Sequence, residues 1–172
     1  AALVATTGAL LLGAATARPA LDGPGFFVGF SEDMPRAIGE EAVTPARDLG
    51  ADAFRFTLQW APGRTELAEA DVRDFEDAVR DTSGMRVVLS VYSFGPNAQD
   101  APKTEAARDQ YCSYVRDALT RLPSIRDVVI WNEPNKAQFW SPQTGSPAAY
   151  EALLARCYDA LHAAFPSVNV IG

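Results

Sequence analysis

The sequence predicts an α/β protein built as part of a (β/α)8 barrel, and three observations carry that prediction. Short apolar runs alternate with amphipathic ones from Phe26 to the last residue, as strands alternate with helices in such folds. Three of the apolar runs end in polar or aromatic groups, which is where barrels place their active sites. No glycine-rich loop of the G-x-G-x-x-G or G-x-x-x-x-G-K kind follows any run, so the nucleotide-binding α/β folds lack their first marker. Eight βα units occupy roughly 250 residues. This chain has 172, enough for four units and a fifth strand. The expected architecture is an incomplete TIM barrel of about the first four βα units plus strand five.

The elements follow in order. Strands are expected at Phe26 to Phe30, Ala53 to Leu58, Arg86 to Tyr92, Asp127 to Asn132 and Val168 to Ile171, each rich in Val, Ile or Phe. A short helix spans Thr44 to Leu49, with Pro45 in its first turn. Ala68, Val72, Phe75 and Val79 recur at helical spacing and mark a second. A third follows Thr104 as N-cap, buries Tyr111, Val115, Ala118 and Leu122, and stops at Pro123. A fourth opens at Ser146-Pro147 as cap and first turn and runs to about Phe165.

Twenty-two acidic against fifteen basic residues give a formal charge of −7, and no Lys/Arg run exists to track a phosphate backbone or an anionic membrane. Nucleic acid is not expected as a partner. Residues 1–20 read as a signal peptide remnant and leader. The small apolar run closes on Ala15-Thr16-Ala17, an A-x-A cleavage pattern, and is too short and Ala-rich for a stable membrane span. It has no initiator Met and no basic start, so the sequence is expected to begin inside the signal. The expected location is extracellular. Cys112, Cys157 and His162 are the only Cys and His residues, too few for a zinc or iron site, so no metal or other cofactor is expected. In an exported protein Cys112 and Cys157 can pair across neighbouring helices or remain as two buried thiols, and the sequence leaves both open.

Alternation assigns the strand faces. In Phe54-Arg55-Phe56-Thr57-Leu58 the phenylalanines and leucine point to the helices, while Arg55 and Thr57 point inward. An arginine there calls for an acidic partner. In the next strand Val88, Ser90 and Tyr92 form the inward set. The fourth strand ends at Asn132-Glu133, and Pro134 is expected to hold Glu133 extended, because the residue before proline avoids the helical region. Simple alternation turns Asn132 and Glu133 to opposite faces, so both reach one ligand only through a twist or bulge. Partial burial beside Trp131 is expected to raise the Glu133 pKa and suit it to general acid work.

The run Trp131-Asn132-Glu133-Pro134-Asn135, then Phe139-Trp140 and a helix with Tyr150, resembles the fourth-strand signature of the clan A retaining glycoside hydrolases, nearest the family 39-like and cellulase-type family 5-like enzymes. Arg55 with Trp60, and the segment Met85 to Tyr92, are similar to that group's second and third strands. The resemblance covers roughly Phe26 to Gly172 and makes residues 21–172 the amino-terminal half of a catalytic barrel. It implies two-carboxylate cleavage of a β-glycosidic bond with retention, in a carbohydrate substrate. Glu133 matches the acid/base, Asn132 the amide that binds the sugar 2-hydroxyl, and Arg55 the arginine beside the nucleophile. Tyr92, Trp131 and Trp140 are candidate sugar-binding rings. For Tyr92 and Trp140 core packing is an equal alternative, and Trp60 and Phe139 read as packing.

The pattern breaks at the nucleophile, which in this family is a Glu ending the seventh strand. A retaining site holds its two carboxyl groups about 5 Å apart, and Glu32, Asp33, Glu40 and Glu41 read as solvated loop acids rather than that partner. The gene product is therefore expected to continue past Gly172, and this chain alone to be inactive, with unpaired edges at its first and fifth strands. A carbohydrate-binding pseudoenzyme and a barrel enzyme of unrelated chemistry are the competing readings.

Overall fold

In the computed structural model residues 26–172 are described; the expected leader lies outside them. Five strands form one parallel sheet in the order β1-β2-β3-β4-β5, with β1 at Gly29–Ser31, β2 at Ala53–Gln59, β3 at Arg86–Tyr92, β4 at Asp127–Ile130 and β5 at Asn169–Ile171. Sequential order is the arrangement of a barrel; a doubly wound sheet would reverse direction part-way across. Each of the first four strands is followed by helix: β1 by α1 (Met34–Ile38) and α2 (Glu40–Asp48), β2 by α3 (Glu69–Asp81), β3 by α4 (Glu105–Arg121) and β4 by α5 (Ser146–Ala164).

The register lines up Arg55 with Val88, Val88 with Asp127 and Asp127 with Asn169, and on the other parity Phe56 with Leu89 and Leu89 with Val128. Phe54, Phe56, Leu58, Leu89, Val91, Val128 and Ile130 are buried toward the helices, where they meet Val72 and Phe75 of α3, Tyr111 and Val115 of α4 and Leu153 and Leu161 of α5. Burying each such side chain contributes roughly 1.5–3 kcal/mol. The inward parity is mixed, with Arg55, Thr57, Ser90, Asp127 and Asn169 beside Val88, Val129 and Ile171. At its amino end Arg86 and Asp127 form a two-pronged ion pair through Arg86 Nε (2.7 Å to Oδ2) and Nη2, and Asn169 donates to the same carboxylate at 2.8 Å.

Several boundaries differ from the sequence reading. β1 was expected over Phe26 to Phe30, but pairing with β2 begins only at Gly29, opposite Ala53. A Cβ on Gly29 would lie 2.2 Å from the Ala53 carbonyl oxygen, so glycine alone permits that approach. Phe26 and Phe30 are exposed on this edge, with Met34 and Ile38 beyond them. The helix expected at Thr44 starts at Glu40 and carries Pro45 inside it, held by the burial of Val43 and Ala46. The loop acids are not merely solvated. Asp33 accepts the Thr57 N–H at 2.8 Å, Glu32 accepts those of Asp33 and Met34, and Glu40 pairs with Arg47 at 2.7 Å. Thr104 caps α4 through the Ala107 N–H. Ser146 is the first residue of α5 rather than its cap, a place taken by Gly145 at φ 77°. Cys112 of α4 and Cys157 of α5 are joined as a disulfide, both buried.

Candidate active site

β4 stops at Ile130, two residues short of the expectation, and the reason lies in Trp131. Strict alternation would turn its indole into the barrel. It is instead buried on the helix side, in edge-to-face contact with Trp60, Tyr111 and Trp140 at centroid distances of 6.2, 5.8 and 6.0 Å, and its Nε1 donates to the Phe139 carbonyl at 3.0 Å. Two successive residues, Ile130 and Trp131, thus face the core. The chain accommodates this with Trp131 in the left-handed region at φ 69°, a conformation that costs a non-glycine residue about 1–2 kcal/mol.

That break resets the alternation and delivers Asn132 to the inward face. There Arg55 gathers groups from three other strands or strand tips. Its Nη2 donates to Ser90 Oγ at 2.6 Å and to Asn132 Oδ1 at 3.3 Å, and its Nη1 to Ser31 Oγ at 3.3 Å. The acidic partner expected for Arg55 is not found: among the described residues its bonds go to hydroxyls and an amide, and no carboxylate pairs with it.

Glu133 departs from expectation in two respects. It is not extended before Pro134 but sits at φ 40°, the second left-handed residue in three. Nor is it partly buried against Trp131: its side chain is 42% exposed and pairs with Lys136 Nζ at 2.5 Å. With the Glu133 carbonyl accepting the Lys136 N–H at 2.9 Å, the tip turns back on itself. Non-glycine residues held at positive φ concentrate at functional sites, where surrounding packing supports the strain.

The aromatic assignments also change. Trp131 and Trp140 are each 1% exposed and offer no ring face to a ligand, so both are corrected from sugar-binding to core residues; Trp60 packs with them. Tyr92 is half-buried, with its ring 5.6 Å from that of Phe94 and 5.7 Å from that of Phe139. Phe94, 37% exposed, was not singled out in the sequence, although an aromatic residue two past a strand end is a signal that could have found it. Ser90 was legible as an inward residue, but its bond to Arg55 was not. A cleft of about 530 Å3 opens at the opposite, amino end of the strands around Arg86, Asp127 and Asn169, away from Glu133.

The class this arrangement defines is an incomplete (β/α)8 barrel, its first four βα units and strand five, with a polar constellation at the carboxyl ends of its strands. Comparison with solved structures agrees. The chain is similar to the β-glycosidase of the hyperthermophile Thermosphaera aggregans, with a TM-score of 0.61 and 13% identity over 80% of this chain and 43% of that one. It is also similar to a GH5-4 broad specificity endoglucanase from Clostridium longisporum, with a TM-score of 0.54 and 15% identity over 76% of this chain and 42% of that one. The fold is therefore glycosidase-like, and the chain spans less than half the length of either structure. No family model matches the sequence, and no curated protein does. Among the described residues no helix is long and apolar enough to cross a membrane.

Proposed function

We propose that the chain is the acid/base-bearing half of a secreted, retaining β-glycoside hydrolase acting on an oligosaccharide or polysaccharide. The observation that carries this reading is the Asn132–Glu133 pair just past β4, with Asn132 tied to Arg55 on the inward face. Glu133 protonates the departing glycosidic oxygen and then, as carboxylate, activates water; Asn132 binds the 2-hydroxyl. Arg55, with no carboxylate of its own among the described residues, supplies the counter-charge for a nucleophile from the strand-seven position, outside these five strands. Tyr92 flanks the substrate. Before reaction Glu133 exchanges its contact with Lys136 for the glycosidic oxygen. Of the two families that the Trp131–Asn135 motif resembles, the cellulase-type family 5 has the endoglucanase likeness in support, whereas the family 39 resemblance rests on the motif alone.

Export is supported by the cleavable-looking leader and by the Cys112–Cys157 disulfide, a bond that persists in oxidising compartments. Sequencing the amino terminus of secreted protein should place the cut after Ala17.

The test is turnover of an aryl β-glycoside by the full-length gene product. Glu133→Gln should reduce kcat by about 10²- to 10⁴-fold, the range for losing a general acid. Undiminished activity in that variant refutes the role of Glu133. A second reading, a carbohydrate-binding pseudoenzyme, is favoured by the exposure of Glu133 and its pairing with Lys136. Saccharide binding without turnover in the full-length protein selects it.

A further inference from the structure

We propose that Tyr111 of α4 and Tyr150 of α5 are positioning residues that hold the Ile130–Trp131 peptide from both ends and thereby aim the Asn132–Glu133 tip. This rests on the glycosidase reading of Glu133 for its catalytic consequence, though not for its geometry. Tyr111 Oη accepts the Trp131 N–H at 3.0 Å and donates to the Val91 carbonyl at 2.7 Å. Tyr150 Oη donates to the Ile130 carbonyl at 3.0 Å. The N–H and C=O of one trans peptide point in opposite directions. The N–H therefore lies on the β3 side, shared between Val91 and Tyr111, and the C=O on the β5 side. Pairing of β4 with β5 ends at Val129 opposite Ile171, one residue before that carbonyl.

Packing alone does not call for these hydroxyls. The Tyr111 ring meets Trp60 and Trp131 edge-on, and the Tyr150 ring meets Trp140 in the same way, contacts that phenylalanine would keep. A buried hydroxyl is costly unless it is bonded, and both here are bonded to the one peptide at which the strand breaks. Burial pushes both phenols up in pKa, so each remains a protonated donor across the neutral range. The peptide plane sets the direction of Trp131, whose left-handed conformation places Asn132 beside Arg55. Releasing the plane lets the tip relax toward an ordinary strand, which returns Asn132 to the wrong face.

The experiment compares Tyr111→Phe, Tyr150→Phe and the double variant of the whole protein by amide hydrogen exchange and by steady-state kinetics on an aryl β-glycoside. In the double variant exchange at Trp131 should rise about tenfold or more, while Leu89 and Val91 stay within about twofold, because the lost bonds are local. The kcat should fall by about 10- to 100-fold with KM within about threefold, the pattern of a misplaced catalytic group rather than of lost substrate binding. Unchanged Trp131 exchange, or a rise uniform across β3 and β4, overturns the proposal, as does full kcat with Trp131 loosened. Tyr150→Phe alone, at a half-buried site, preserves the test if Tyr111→Phe does not fold. Should the unsubstituted protein fail to cleave glycosides, the reading of Glu133 falls, and Trp131 exchange still decides whether the tyrosines hold the peptide.

Discussion

Replacing both Cys112 and Cys157 by alanine should cost the protein about 4 kcal/mol, the loop-entropy value for a cross-link across a sequence separation of 45. The two helices it joins do not depend on it for local structure, since α4 has its own Thr104 cap and both bury continuous apolar faces. The effect therefore acts on the unfolded chain, in which the bond closes the loop between residues 112 and 157, more than on native contacts. For a domain of this size the loss corresponds to roughly 8–16 °C in Tm. The measurement is urea unfolding of the oxidised protein beside the double variant, followed by far-ultraviolet circular dichroism. A lower midpoint is expected, together with a steeper slope, because the unlinked chain exposes more surface when it unfolds. Equal midpoints would refute the reasoning, and so would free thiols titrating in the unreduced native protein.

Other outcomes follow from the same structure. Asp127→Ala removes the buried partner of Arg86 and Asn169 and should destabilise by about 3 kcal/mol, read as a lower urea midpoint; an unchanged midpoint would show that the ion pair contributes nothing net. Burial pushes the Tyr114 phenol up from 10.0 to about 12, so phenolate absorbance should show a tyrosine still protonated well above pH 10, and Tyr114→Phe should reduce that late step. Its folded pKa lies above its unfolded one, so the stability linked to it is complete below pH 10 and is lost as pH rises toward about 12; a titration complete by pH 10 contradicts this. For Glu133→Gln the expected kcat loss should come without loss of saccharide binding, checked by calorimetry on the same variant.

Much of the barrel was legible because its strands have period-two faces and its helices period-three-to-four stripes. β3 matches its expected bounds, and β2 runs one residue further, to Gln59. α1 was missed because a five-residue helix with Pro35 inside it shows no periodicity, and β1 was misplaced because exposed Phe26 and Phe30 imitate a buried strand. The proline rule gave the wrong conformation for Glu133, since a local preference yields to the tight turn through Trp131 and Lys136. Aromatic identity was equally silent on burial: Trp131 and Trp140 suit a sugar as well as a core, and only contact with Trp60, Tyr111 and Tyr150 decides between them.

By itself the sequence determined the kind of elements, their order, the inward parity of Arg55 and Ser90, and the delivery of an amide and an acid to the end of the fourth strand. These depend on spacing along one segment, which the chain carries explicitly. The tertiary structure alone decided that Cys112 meets Cys157, and that Asn132 rather than Trp131 turns toward Arg55. Each of those depends on groups tens of residues apart competing for the same space. At Trp131 the burial of a large indole among helix-side rings outweighs the about 1–2 kcal/mol of a left-handed backbone.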